Sequence, residues 1–200
     1  TLPSFHYQPA RGEFQVDDLA LPWRDETRRP LVGAFARDHG AEVPGRVVVS
    51  AKSWLCHSGV DRKAALLPWH GESNVKHHSP GAIASCYLEH IRLAWDHEHP
   101  RALLADQELV LTVPASFDEV ARELTLAAAR SAGLPNLCLI EEPQAAFYAW
   151  MNHASDAKES LSPGQVVLIC DVGGGTTDLT LIQVEPDLSY RRIAVGEHLI

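Results

Sequence analysis

Residues 166–184 read Val-Val-Leu-Ile-Cys-Asp-Val-Gly-Gly-Gly-Thr-Thr-Asp-Leu-Thr-Leu-Ile-Gln-Val, with Asp171 ahead of the glycines and Asp178 after the two threonines. Three successive glycines, Gly173, Gly174 and Gly175, let the backbone fold tightly and expose its N–H groups with no Cβ in the way of a phosphate. Thr176 and Thr177 add hydroxyls, and Asp171 and Asp178 add two carboxylates suited to a hydrated hard cation such as Mg²⁺. Phosphate donors and cation acceptors thus fall within eight residues, the requirement of an ATP-Mg²⁺ site.

The flanks decide what kind of phosphate loop this is. A P-loop needs Gly-Lys-Ser/Thr and then a helix, and a dinucleotide loop also opens a helix. Here Asp178 to Val184 is rich in β-branched residues and largely alternating, so it predicts a strand. Strand, glycine turn and strand make a phosphate-binding hairpin. An ordinary hairpin with glycines at positive φ is the plainer alternative, but its turn needs only two residues and no paired aspartates.

Working outward, Tyr190 to Val195 predicts a third strand, and the polar residues 152–164 a crossing between lobes. Leu109–Val113 and Leu137–Ile140 read as buried-type strands. Ser116 to Glu119 reads as a capping box that opens a helix with Phe117, Val120, Leu124 and Ala128 on one face, ended by Gly133. A helix is expected from about Gln144 to Met151, and another from Pro80, where Ile83, Tyr87, Leu88, Ile91 and Trp95 follow helical spacing. Leu31 to His39 predicts a short helix closed by Gly40. Arg46 to Ser50 predicts a brief strand leading to Lys52 and a helical turn around Trp54. Residues 56–80 predict an irregular surface stretch. Alternation of helices and strands through 80–151 indicates an α/β layered core.

The bulk numbers narrow the field. The chain has 200 residues, 46% hydrophobic and 22% charged, enough to bury a sizeable core. A net charge of −9 argues against nucleic acid and anionic membrane as main partners. No run approaches the roughly 18 apolar residues of a membrane-spanning helix. Four scattered cysteines, without a Cys-x-x-Cys pair, predict reduced thiols and a cytoplasmic location. The eleven histidines match no zinc spacing and are expected at the surface; the five tryptophans are expected to be packing anchors. The chain begins at Thr1 and stops at Ile200, and both ends are expected to be cuts from a longer protein.

Four blocks resemble the ATPase domain of the seventy-kilodalton heat-shock chaperones. They are Leu109 to Phe117 with Arg122 downstream, Ser131 to Ala146, Asp171 to Asp178, and Ser50-Ala51-Lys52 followed by Trp54-Leu55. Glu141 stands where the family usually has Asn, and Gln144 where it has Thr, which suggests a divergent bacterial branch. The resemblance implies an α/β actin-like ATPase (ribonuclease H-like) fold, present in part: lobe I plus the first phosphate-binding hairpin of lobe II. Residues 1–78 would be the upper subdomain of lobe I, 79–160 its lower subdomain and 161–200 the start of lobe II.

It further implies that ATP or ADP binds with Mg²⁺ and that water attacks the γ-phosphate, with positioning and electrostatics supplying most of the catalysis. The N–H groups around Gly173, Gly174 and Gly175 would hold phosphate oxygens together with Thr176 and Thr177. Asp171 and Asp178 would bind waters of Mg²⁺ or orient the attacking water. Lys52 would add positive charge at the phosphates, an effect of about 2–4 kcal/mol by analogy with oxyanion donors. Glu142 would link the site to the following helix, and Pro114 and Arg122 would relay nucleotide state. Read without the resemblance, Lys52 and Arg122 are solvated surface residues, Glu142 is a helix-start carboxylate and Pro114 a strand terminator.

The implied partners are client protein, through domains absent here, a co-chaperone and a nucleotide exchange factor. The chain alone is expected to be inactive, because the first phosphate loop and the adenosine pocket would lie outside it. Competing functions are a sugar or acetate kinase of the same superfamily, a filament-forming actin-like protein and a nucleotide sensor that does not hydrolyse.

Overall fold

A computed structural model describes residues 1–15, 17–24, 31–71, 73–153, 161–173, 177–187 and 189–196. The chain divides into two compact units, one made of Thr1–Leu109 with Glu119–Leu137, the other of Val110–Asp118 with Cys138–Ile200. The architecture is mixed α/β in both.

In the first unit, β1 (Phe5–Tyr7) is the centre of a three-stranded antiparallel sheet, between β2 (Leu31–Val32) and β3 (Val47–Val49). Side chains alternate across a sheet, so Tyr7 shares a face with its partners Leu31 and Val47, while His6 shares the other with Val32 and Val48. The Tyr7 face is covered by α1 (Ala34–Glu42), and Tyr7, Leu31 and Ala36 form its buried cluster. The Tyr7 hydroxyl donates to Glu13 Oε1 at 2.6 Å, and the His39 ring meets the same oxygen at 2.8 Å. Val48 joins Ala51, Leu67 and Ile83 in a second cluster, with Trp54, Leu66 and Tyr87 packed around it.

Several local expectations change here. Leu31 and Val32 are strand rather than helix, and α1 runs through Gly40 instead of stopping at it. Gly40 serves close approach: a Cβ there would lie 2.6 Å from Val47 Cγ2. Residues 56–79 hold no helix or strand among the described residues, as expected, yet they are not superficial throughout. Leu67 and Val75 are buried, and Leu67 N–H and His78 N–H each donate to the other's carbonyl, at 2.9 and 2.7 Å. Nor are the histidines all at the surface, since His6 is fully buried with its ring 5.6 Å from that of His78.

Helix α2 (Ala51–Trp54) follows β3, and α3 (Pro80–Glu98) starts with Ser79 accepting from Ala82 N–H and Pro80 in the first turn. α3 packs against α4 (Glu119–Ser131). α4 begins three residues after Ser116, so Asp118 rather than Ser116 precedes its first residue. Its buried face is Ala121, Thr125, Ala128 and Ala129, while Val120 is 48% exposed. Small side chains let the helix axes approach, and that close fit wins over the bulkier apolar stripe. Gly133, at φ 81°, ends α4 in the left-handed conformation, and a Cβ there would lie 3.0 Å from Arg92 Nε.

The second unit holds all but the first residues of β4 (Leu109–Val113) and of its partner β5 (Leu137–Glu141), which runs directly into α5 (Glu142–His153). A separate antiparallel meander follows: β6 (Val166–Val172), β7 (Thr177–Val184) and β8 (Tyr190–Val195). α5 packs on β6 and on β8, where the buried Phe147 ring meets Tyr190 edge-on at 4.6 Å. The inward face of β7 is Asp178, Thr180, Ile182 and Val184; the outward face of the hairpin leaves Leu168 and Val172 59% and 72% exposed. The expected crossing within 152–164 lies largely in residues 154–160, outside the described residues. No described helix is long and apolar enough to cross a membrane.

Candidate phosphate-binding hairpin

β6 and β7 pair antiparallel, as the two strands expected from the sequence on either side of the glycines. Their register pairs Asp171 with Asp178. Directly opposed residues project from the same face, with Cα atoms about 4.5–5.5 Å apart. Asp178 is buried and Asp171 half-buried. Two like charges in that position repel, so the pair is set up to face positive charge. Its donors are hard carboxylate oxygens. No group of three or more His, Cys, Asp or Glu gathers among the described residues. Two carboxylates without a full protein cage fit a cation that keeps most of its water, as Mg²⁺ does.

Thr180 sits one pleat further along the same face, opposite Ile169. Its Oγ1 is buried and has no hydrogen-bond partner among the described residues. A hydroxyl on the inward phase of the strand, between Asp178 and the aliphatic Ile182 and Val184, was the sequence signal for this residue. Thr177 pairs with Val172, and alternation puts both on the opposite face from the two aspartates. Gly173 is exposed directly after β6. Gly174, Gly175 and Thr176 lie outside the described residues.

Glu142 opens α5 and lies in its first turn, where the helix dipole favours a carboxylate. It shares a unit with the hairpin, and its helix packs on β6. The neighbouring Glu141, the departure from the family's usual Asn, forms an ion pair with Arg192 of β8. Arg192 and Phe147 therefore fasten the start of α5 and its middle to the meander, a linkage that sequence spacing gave no means of finding.

Lys52 is exposed on α2 and belongs to the first unit, so the two units divide the expected catalytic set between them. Pro114 is buried just after β4 and accepts a hydrogen bond from Phe117 N–H at 3.1 Å; it belongs to the second unit. Arg122, half-buried on α4, belongs to the first. The chain thus changes units between these two residues, at 118/119.

Among other titratable groups, burial and then the nearby His78 lower the pKa of His6 to about 4. Burial and then Glu89 push the Cys86 thiol up, and none of the four cysteines, all among the described residues, is in a disulfide.

A family model described as Hsp70 protein matches residues 31–188, a span that includes Lys52, Glu142, Asp171 and Asp178. Among curated relatives, the chaperone protein HscA of Salmonella newport (strain SL254) and that of Salmonella heidelberg (strain SL476) are each 32% identical over 162 residues. Each alignment covers 76% of this chain and 25% of the relative, so the match spans about a quarter of the relatives' length.

Proposed function

The chain belongs to the Hsp70 family, and on that premise we propose that it contributes part of the nucleotide-binding domain of a chaperone-type ATPase. The full-length protein binds and hydrolyses Mg-ATP and uses the cycle to control its grip on client protein. The observation that carries this is the pairing of Asp171 with Asp178 across β6 and β7, the strands on either side of the glycines. A sugar kinase, an acetate kinase and a filament-forming protein would use a similar hairpin, but the family match favours none of them.

In this mechanism ATP lies with its phosphates against residues 173–177. Backbone N–H groups of Gly173, Gly174 and Gly175 hold phosphate oxygens together with Thr176 and Thr177. Mg²⁺ bound there would neutralise charge on the phosphates. Asp171 and Asp178 accept hydrogen bonds from water and orient the water that attacks the γ-phosphate. Lys52 holds a positive charge where negative charge gathers in the transition state, and Glu142 couples the site to α5. Positioning and preorganised charge supply the rate enhancement.

We assign residues 1–78 to the upper subdomain of lobe I, 79–160 to its lower subdomain and 161–200 to the start of lobe II of an actin-like fold. Pro114 and Arg122, on either side of the crossing between units, relay nucleotide state towards a client-binding domain. A co-chaperone and a nucleotide exchange factor are the expected partners, and the cytoplasm the expected location.

The test is phosphate release from ATP by the full-length protein beside its Lys52→Ala variant. Slow Mg²⁺-dependent hydrolysis without an acceptor, falling about 10²–10³-fold in the variant, is expected. Turnover that appears only with a sugar or acid acceptor, or that ignores Lys52, would overturn the assignment.

A further inference from the structure

Ser50 is the one non-glycine with positive φ among the described residues, at φ 56° and ψ 33°. The left-handed region is uncommon for a residue with a Cβ, and such a residue persists only where its surroundings over-determine it. Its own side chain supplies no reason: it is exposed and makes no capping hydrogen bond to α2. The reason lies on both sides of it. Val48 and Ala51 are each 1% exposed and sit in the same core cluster with Leu67 and Ile83. The chain leaves that core on β3 and must return within three residues, so Ser50 turns the corner.

The turn is then closed by Ser53 N–H donating to Ser50 O at 3.0 Å and Leu55 N–H to Lys52 O at 3.1 Å. Two residues after the corner, α2 presents Lys52 to solvent. An extended Ser50 would continue the line of β3 and carry Lys52 away from its present direction. The same short helix ends at Trp54, whose ring lies 4.7 Å from that of Trp69 at an interplanar angle of 35°.

We infer that Ser50 is a positioning residue for Lys52, its left-handed backbone fixing the direction in which α2 presents the ammonium group. The inference deepens the role proposed above for Lys52 and rests on it. It also gives α2 an optical signature, because two indoles this close couple as excitons in the far ultraviolet.

The experiment compares Ser50→Gly, Ser50→Asn and Ser50→Val in the full-length protein, with Lys52→Ala alongside. Glycine adopts the left-handed conformation freely and asparagine tolerates it, whereas a β-branched valine resists it. Gly and Asn are expected to keep the Trp54–Trp69 couplet and kcat within about twofold of the parent. Val is expected to weaken the couplet and lower kcat about 10- to 100-fold, the scale of an ångström-level misplacement, with KM for ATP changed less than about twofold. If Val does not fold, Ser50→Ala carries the same comparison with a milder penalty. Val or Ala at the parental kcat, while Lys52→Ala is inactive, overturns the inference alone. Lys52→Ala at the parental rate overturns the role of Lys52, and the inference with it.

Discussion

Asp171 and Asp178 are cross-strand partners in the register of β6 and β7, so two carboxylates stand opposite each other on one face of the hairpin strands. Opposed like charges cost up to about 1 kcal/mol in a sheet. Asp171→Asn is therefore expected to raise thermal stability slightly in metal-free buffer. On the proposed function Mg²⁺ and ATP stabilise the full-length protein, and the same variant should lose most of that gain. Melting curves with and without Mg-ATP decide it: an unchanged ligand response in the variant would remove Asp171 from the site.

His6 makes stability depend on pH with a definite sign. Burial, then His78, lower its folded pKa to about 4 from an ordinary 6.5. Between those values the unfolded chain takes up a proton that the folded chain refuses. The contribution is therefore complete above about pH 6.5 and is lost progressively as pH falls towards 4, by up to about 3 kcal/mol. The His78 shift, also downward and caused first by burial, has the same sign. Urea unfolding at pH 7.5 and 4.5 should show a smaller acid loss in His6→Phe than in the parent; equal losses would mean that His6 is protonated in the folded chain.

Gly40→Ala sets two effects against each other. Alanine gains about 1 kcal/mol of helix propensity over glycine. The new Cβ, however, would meet Val47 Cγ2 at 2.6 Å, and overpacking costs about 1–3 kcal/mol. A net loss is expected, and adding Val47→Ala should make the Gly40 substitution less harmful than it is alone. Stability equal to or above the parent in the single variant would show that α1 moves off the sheet at little cost.

Much of this chain was legible because local patterns are written locally. The hairpin strands, Leu109–Val113 and Tyr190–Val195 have β-branched or alternating residues bounded by breakers, and they fold where those patterns lie. Gly133 ends α4 as read, since a left-handed cap needs no distant partner. The errors share one cause. Gly40 looked like a helix stop but is a contact with β3, and Val120 looked like core while Ala121, Thr125, Ala128 and Ala129 take the buried side. Each depends on how closely another element approaches.

From the sequence alone came the two strands around the glycines, their two acids and the family, since alternating apolar runs bounded by breakers are local signals. Only the tertiary structure decided that Asp171 and Asp178 oppose each other, that Arg192 holds Glu141, that His6 is buried and that Ser50 turns the chain towards Lys52. The Glu141–Arg192 ion pair, the burial of His6 and the unfavourable φ of Ser50 are settled by contacts between residues far apart in the chain, and the register by pairing all along β6 and β7. Those contacts can hold a residue in a state that its local preferences would refuse.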